Sequence, residues 1–287
     1  MNYLFHRLVK YEYWGMSEMK SNQNVYYIDT HCHLDHLLFG DSRYEVVKKA
    51  RDAGVKYMIN APVTYESNFT SNEMFPAKDY SDVFFAKGLH PKYAANEPTW
   101  NSCMKTQFEQ LLADKRTVAI KTGLDYCNTR MQESQKLRQK KFLMMFIDYA
   151  TEYNLPMILH VREALDDMIA SLKEHPINTE TVIHCYNSCN WVKTQEVMEL
   201  GIHYFGIGGM ITRGDAALLD SVKNMPMEAI LLETDSPFVK LSNCDEKVNT
   251  PLVLPQIAMK IAELKGKSFE EVVTQTYENA CNFYHLE

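Results

Sequence analysis

Paired cysteines, membrane-length apolar runs and an excess of positive charge are all missing from this chain, and each absence removes a class of protein. The seven cysteines, at 32, 103, 127, 185, 189, 244 and 281, are odd in number and include no CxxC. A chain of 287 residues buries a core large enough to need no disulfide staples, so the thiols are read as reduced and the compartment as cytoplasmic. No apolar stretch approaches the roughly 20 residues that span a bilayer, and no membrane association is expected. Lys and Arg number 30 against 37 Asp and Glu, a formal charge of −7. Proteins that grip long nucleic acid by neutralising phosphates are usually basic, which argues against a broad electrostatic footprint. A phosphate-bearing substrate held beside metal ions stays open, because the ions bring positive charge with them.

Internal repeats, low-complexity tracts and a Pro/Gly linker are also lacking, which indicates one domain. Residues 1–24 are rich in aromatic and basic groups but have no signal-peptide apolar core. They read as an extension before a domain spanning 25–287.

What is present is alternation. Eight short apolar runs, at 25–33, 55–63, 83–91, 118–126, 155–163, 181–187, 202–210 and 229–238, are separated by stretches of helical period. Near-continuous apolar runs suit parallel strands buried on both faces. Between them, SRYEVVKKARDAG ends on Gly54 as a C-cap, and the stretch around LRQKKFLMMFIDYA and NWVKTQEVMELG are amphipathic. Eight such units predict an α/β fold, a (β/α)₈ TIM barrel.

In that fold the carboxyl ends of the strands converge on the functional face. His31 and His33 form an H-x-H at the end of the first run, where i and i+2 share a face and Cys32 points away. His160 ends the fifth run, His184 the sixth and Asp235 the eighth. Four histidines and a carboxylate meeting there are costly as mere packing, and imidazole with carboxylate suits Zn²⁺, Mn²⁺ or similar ions. Glu233, two residues before Asp235, is expected to fix the tautomer of a histidine ligand.

Together DTHCHLD (29–35), GLHP (88–91), AIKTGLDY (119–126), LHVREA (159–164), HCYN (184–187) and ETDSP (233–237) resemble the motif series of the TatD family of metal-dependent deoxyribonucleases, in the amidohydrolase superfamily. The likeness runs from residue 27 to the C-terminus. It implies a distorted barrel, one or two divalent ions (Zn, Mg or Mn) and hydrolysis of DNA or a small phosphodiester. It also implies His31, His33 and Asp235 as ligands of a first ion and His160 and His184 as ligands of a second. Asp235 would further act as the catalytic group that orients the attacking water or takes its proton.

The motif context makes His90 and Arg162 candidate phosphate contacts, with Asp125 orienting Arg162 or a ligand; Lys92 reads as a solvated charge. The family typically reads Gly-Glu-Ile-Gly-Leu-Asp where this chain has Ile120 to Asp125, so the bridging glutamate is replaced by Lys121. Lys121 bridges two ions only if carboxylated; as an ammonium it leaves a one-metal site. A second departure, Asn187-Ser188-Cys189, alters a loop at the mouth. Amidohydrolase-type cleavage of a C–N or ester bond, and a non-catalytic metal-binding protein, are the alternative readings.

Overall fold

The structure, a computed structural model, describes residues 25–96, 100–187 and 189–287. Residues 1–24, read above as an extension, and Ser188 lie outside them. All eight apolar runs form strands: β1 (Tyr27–Cys32), β2 (Val55–Asn60), β3 (Val83–Gly88), β4 (Thr117–Asp125), β5 (Met157–Arg162), β6 (Thr181–Ile183), β7 (Tyr204–Ile207) and β8 (Ile230–Leu232). Each pairs in parallel with the next, in chain order. The circle closes through the loops that follow β8 and β1. There the Asp235 N–H donates to the His31 carbonyl (2.8 Å) and the His33 N–H to that of Ser236 (2.7 Å). This is the expected barrel, and its distortion is local: β6 and β8 have three residues each, and the β1–β2 register slips twice.

The connecting helices are α1 (Arg43–Asp52), α2 (Ser67–Met74), α3 (Pro91–Ala94), α4 (Ser102–Leu112), α5 (Glu133–Tyr153), α6 (Leu165–Glu174), α7 (Trp191–Met198) and α8 (Ala216–Asn224). After β8 come α9 (Leu254–Lys265) and α10 (Phe269–Tyr284). Gly54 takes φ +90° just past α1, where the sequence placed a cap. Among the described residues no helix is long and apolar enough to cross a membrane.

Two apolar clusters explain why the runs are continuous. The larger lies between strands and helices; the smaller lines the barrel's interior with Ile28, Ile59, Ile158 and Leu231 against Phe283 and Tyr284. The Tyr284 hydroxyl donates to the Thr30 carbonyl (2.8 Å), so α10 plugs the barrel below the carboxyl ends of the strands. Polar side chains can then gather only at the other end.

One buried cation points out of the barrel, toward α2. Lys87 on β3 is fully buried, and its Nζ donates to the Asn68 carbonyl (2.5 Å), Ser71 Oγ (3.1 Å) and Asn72 Oδ1. It ties β3 to α2. Lys87→Met strands three acceptors, and we expect unfolding in urea to show about 2–3 kcal/mol less stability with an unchanged m-value. An unshifted midpoint would show that the ammonium contributes nothing net.

Candidate metal centre

The site is built from β1 outward. His31 and His33 are both buried at the carboxyl end of the barrel, while Cys32 turns into the outer core with its thiol 3.5 Å from the Ile59 carbonyl. The His33 Nδ1–H donates to the Ala61 carbonyl at 2.5 Å, which leaves the Nε2 lone pair facing inward. That lone pair meets Asp235 Oδ1 at 3.1 Å, and His31 Nε2 lies 3.7 Å from the same oxygen. Asp235 holds this position at φ +52°, a left-handed conformation in the turn after β8.

Asp29, which the sequence reading passed over, fixes that turn from below. Its carboxylate accepts from the Thr234 N–H (3.0 Å) and hydroxyl (2.6 Å), and burial pushes its pKa up to about 7. Its one sequence signal was its place two residues before His31, on the same strand face.

A second polar group gathers around His160. Its Nδ1 is 2.9 Å from His184 Nε2, and its Nε2 is 3.1 Å from Asp125 Oδ2. The His184 ring stacks on His31 with centroids 3.9 Å apart, joining the two groups, and the His90 ring lies 4.4 Å from His160. Burial holds the imidazoles of His31, His184 and His90 well below the ordinary histidine range, which favours the neutral rings; His90 uses its Nδ1 to accept the Lys92 N–H at 3.2 Å. Burial opposes ionisation of Asp125 too, but hydrogen bonds from His160 and Cys127 outweigh it and hold the carboxyl below the usual range. Asp125 therefore orients His160, not Arg162.

Lys121 touches the first group. It is buried on β4 with Nζ 2.7 Å from His31 Nε2, and burial lowers its pKa to about 8. Glu233 is also buried, with its pKa raised well above the usual range by desolvation. Its Oε1 accepts the Cys185 N–H at 2.6 Å and lies 3.9 Å from His184 Nδ1. It braces the main chain beside His184 rather than hydrogen-bonding the ring. Gly206 makes room for it: a Cβ there would lie 2.0 Å from Glu233 Oε2.

A cleft of about 900 Å³ opens beside these residues, lined by His160, His184, Asp235, Arg162 and Arg213 among others. Arg162 is exposed at its wall, and Lys92 is exposed to solvent as expected. Arg213 left no recognisable mark in the sequence, since it ends a short 3₁₀ turn (Gly209–Arg213) after β7, outside any motif.

The donors suit a cation. The ligand atoms of His31, His33 and Asp235 all lie within 4.8 Å of one another, as do those of His90, Asp125 and His160, a set the sequence did not single out. With Nδ1 holding its proton, His33 Nε2 and Asp235 Oδ1 are two acceptors facing each other at hydrogen-bond distance. Among the described residues, the buried Nδ1 atoms of His31 and His184 have no hydrogen-bond partner. Such an arrangement is unfavourable without a positive charge between the acceptors.

Comparison with known proteins agrees. The chain is 30% identical over 261 residues to YabD, an uncharacterized metal-dependent hydrolase of Bacillus subtilis, covering 90% of this chain and 98% of the relative. It is 28% identical over 267 residues to the 3'-5' ssDNA/RNA exonuclease TatD of Pantoea ananatis, covering 90% and 99% of the two chains. The crystal structure of YjjV, a TatD homologue from Escherichia coli K12, superposes with a TM-score of 0.82 at 27% identity, over 92% of this chain and all of that one. The family model described as TatD related DNase matches residues 28–285, and the chain belongs to that family.

Proposed function

We propose that residues 25–287 act as one catalytic barrel, a metal-dependent hydrolase that cleaves phosphodiester bonds of DNA. The observation that carries this reading is the pair of acceptors, His33 Nε2 and Asp235 Oδ1, held 3.1 Å apart by the Ala61 carbonyl on one side and the strained turn on the other. His31, His33 and Asp235 would hold a divalent ion (Zn, Mg or Mn), and His160 and His184 are the donors for a second. When bound, such an ion supplies Lewis-acid polarisation of a phosphoryl oxygen and acidifies a water.

The chain's own groups do the rest. Asp235 orients the attacking water and takes its proton. Arg162 and Arg213, on the cleft wall, bind the non-reacting phosphate oxygens. His90, beside His160, contacts the phosphate from the opposite loop. Asp125 holds the His160 ring at a fixed angle, and Glu233 braces the main chain beside His184. The substrate's negative charge is met locally, which reconciles a phosphodiester substrate with a net charge of −7. Seven free cysteines support a reducing, cytoplasmic setting.

Incubation with single-stranded DNA and Mg²⁺, Mn²⁺ or Zn²⁺ should release acid-soluble nucleotides, and a chelator should stop the release. No release with any of the three ions, or cleavage of an amide or lactone alone, would overturn the assignment to DNA.

A further inference from the structure

The loops after β1 and β8 carry something the metal centre does not use. Leu37 (87% exposed), Leu38 (57%) and Phe238 (38%) present apolar surface at the barrel's functional end. Scattered surface leucines are ordinary. What sets this patch apart is how rigidly its aromatic member is held, and against what.

The Phe238 ring lies edge-on to His36 (centroids 4.9 Å, planes 70° apart) and to His33 (5.7 Å, 66°). Its N–H donates to the Asp235 carbonyl at 2.9 Å. The residues that bracket the turn, Asp235 (φ +52°) and Val239 (φ +44°), are both left-handed, and a β-branched residue rarely accepts that conformation. Asn249 secures the far side, its Nδ2 donating to the Val239 carbonyl at 3.2 Å. The strained turn thus holds an aromatic ring partly in water, directly beside the candidate ligand His33. The guanidinium groups of the cleft come instead from the end of β5 (Arg162) and the segment after β7 (Arg213), where Glu163, Asp166 and Asp167 also line it. A nucleotide whose phosphate lies at Asp235 therefore has two guanidinium groups within the cleft on one side and an apolar ring on the other.

From this we infer that Phe238, packed against His36 of the loop after β1, is a stacking platform for a nucleobase of the strand being cut. Every base has a π-face, so such a platform binds single strands without reading their sequence and requires an unpaired base. The inference rests on the nuclease reading above and deepens it: one base next to the cut is clamped by Phe238.

The test uses single-stranded hexathymidylate and six versions with one abasic position each. In the wild type, one abasic position should raise KM about tenfold, equivalent to ~1.4 kcal/mol. Phe238→Ala should raise KM on the full strand by a similar factor, with kcat within about threefold, and the two losses should fail to add. Phe238→Trp should hold KM at or below the wild-type value, which covers the case in which the alanine variant misfolds. The platform is overturned if every abasic position adds independently to Phe238→Ala, or if Phe238→Ala and Phe238→Trp lower kcat alike with KM unmoved. If wild-type protein with metal does not cut the hexamer at all, the nuclease reading fails as well, an outcome distinct from either of these.

Discussion

Asp235→Asn is expected to lower kcat/KM on single-stranded DNA by about 10³-fold or more and to strip the protein of tightly held metal. One oxygen of this carboxylate faces both His33 Nε2 (3.1 Å) and His31 Nε2 (3.7 Å), so the substitution removes the only anion from that donor set. Asparagine keeps the shape and tolerates the left-handed backbone that Asp235 occupies. The circular dichroism spectrum and melting curve should therefore stay close to wild type, separating loss of chemistry from loss of fold. Metal content by atomic emission and hydrolysis rate should fall together. If the variant keeps its ion and stays within about tenfold of wild type, Asp235 is neither ligand nor proton acceptor.

Lys121→Glu is expected to change the stoichiometry of the centre. In the structure the Lys121 Nζ sits 2.7 Å from His31 Nε2, between the two groups of donors, while His160 and His184 bond to each other at 2.9 Å. A cation on His160 and His184 needs an anion at position 121, because a lysine ammonium that already disfavours positive charge on both rings repels it in a poorly screened interior. The anion can come from carboxylation, in which the neutral amine adds to carbon dioxide and releases a proton, or from substitution by glutamate. Protein prepared without bicarbonate should hold one ion per chain, and Lys121→Glu should hold one more. Bicarbonate with metal should bring the wild type to the same count with about 44 Da of added mass. If Lys121→Glu binds no more metal than bicarbonate-free wild type, residue 121 does not govern the second ion.

The barrel was legible because its strands are buried on both faces, which writes each one as an apolar run that any window can detect. The order of the strands followed from the alternation with helices. Histidines at the ends of runs 1, 5 and 6 stood out because a strand end in a barrel is a place and not only a position. Asp29 was hidden for the opposite reason. An aspartate inside an apolar run reveals nothing of its burial until Thr234, 205 residues away, comes to meet it. Arg213, at the end of a single 3₁₀ turn, and Phe238, in the loop after β8, lie in segments too short to carry a period.

By itself, then, the order of residues along the chain determined the fold, the polar end of the barrel and the set of side chains that collect there, since periodicity and spacing are local properties. It also marked Lys121 as the departure from the family pattern. Only the closed barrel decided who pairs with whom. Through it His33 faces Asp235, His160 binds Asp125 and His184 together, Lys121 lies against His31 and not His160, and a strained turn presents Phe238 to solvent. Those pairings join residues up to 202 positions apart, and at such separations proximity depends on register and closure, which no local pattern carries.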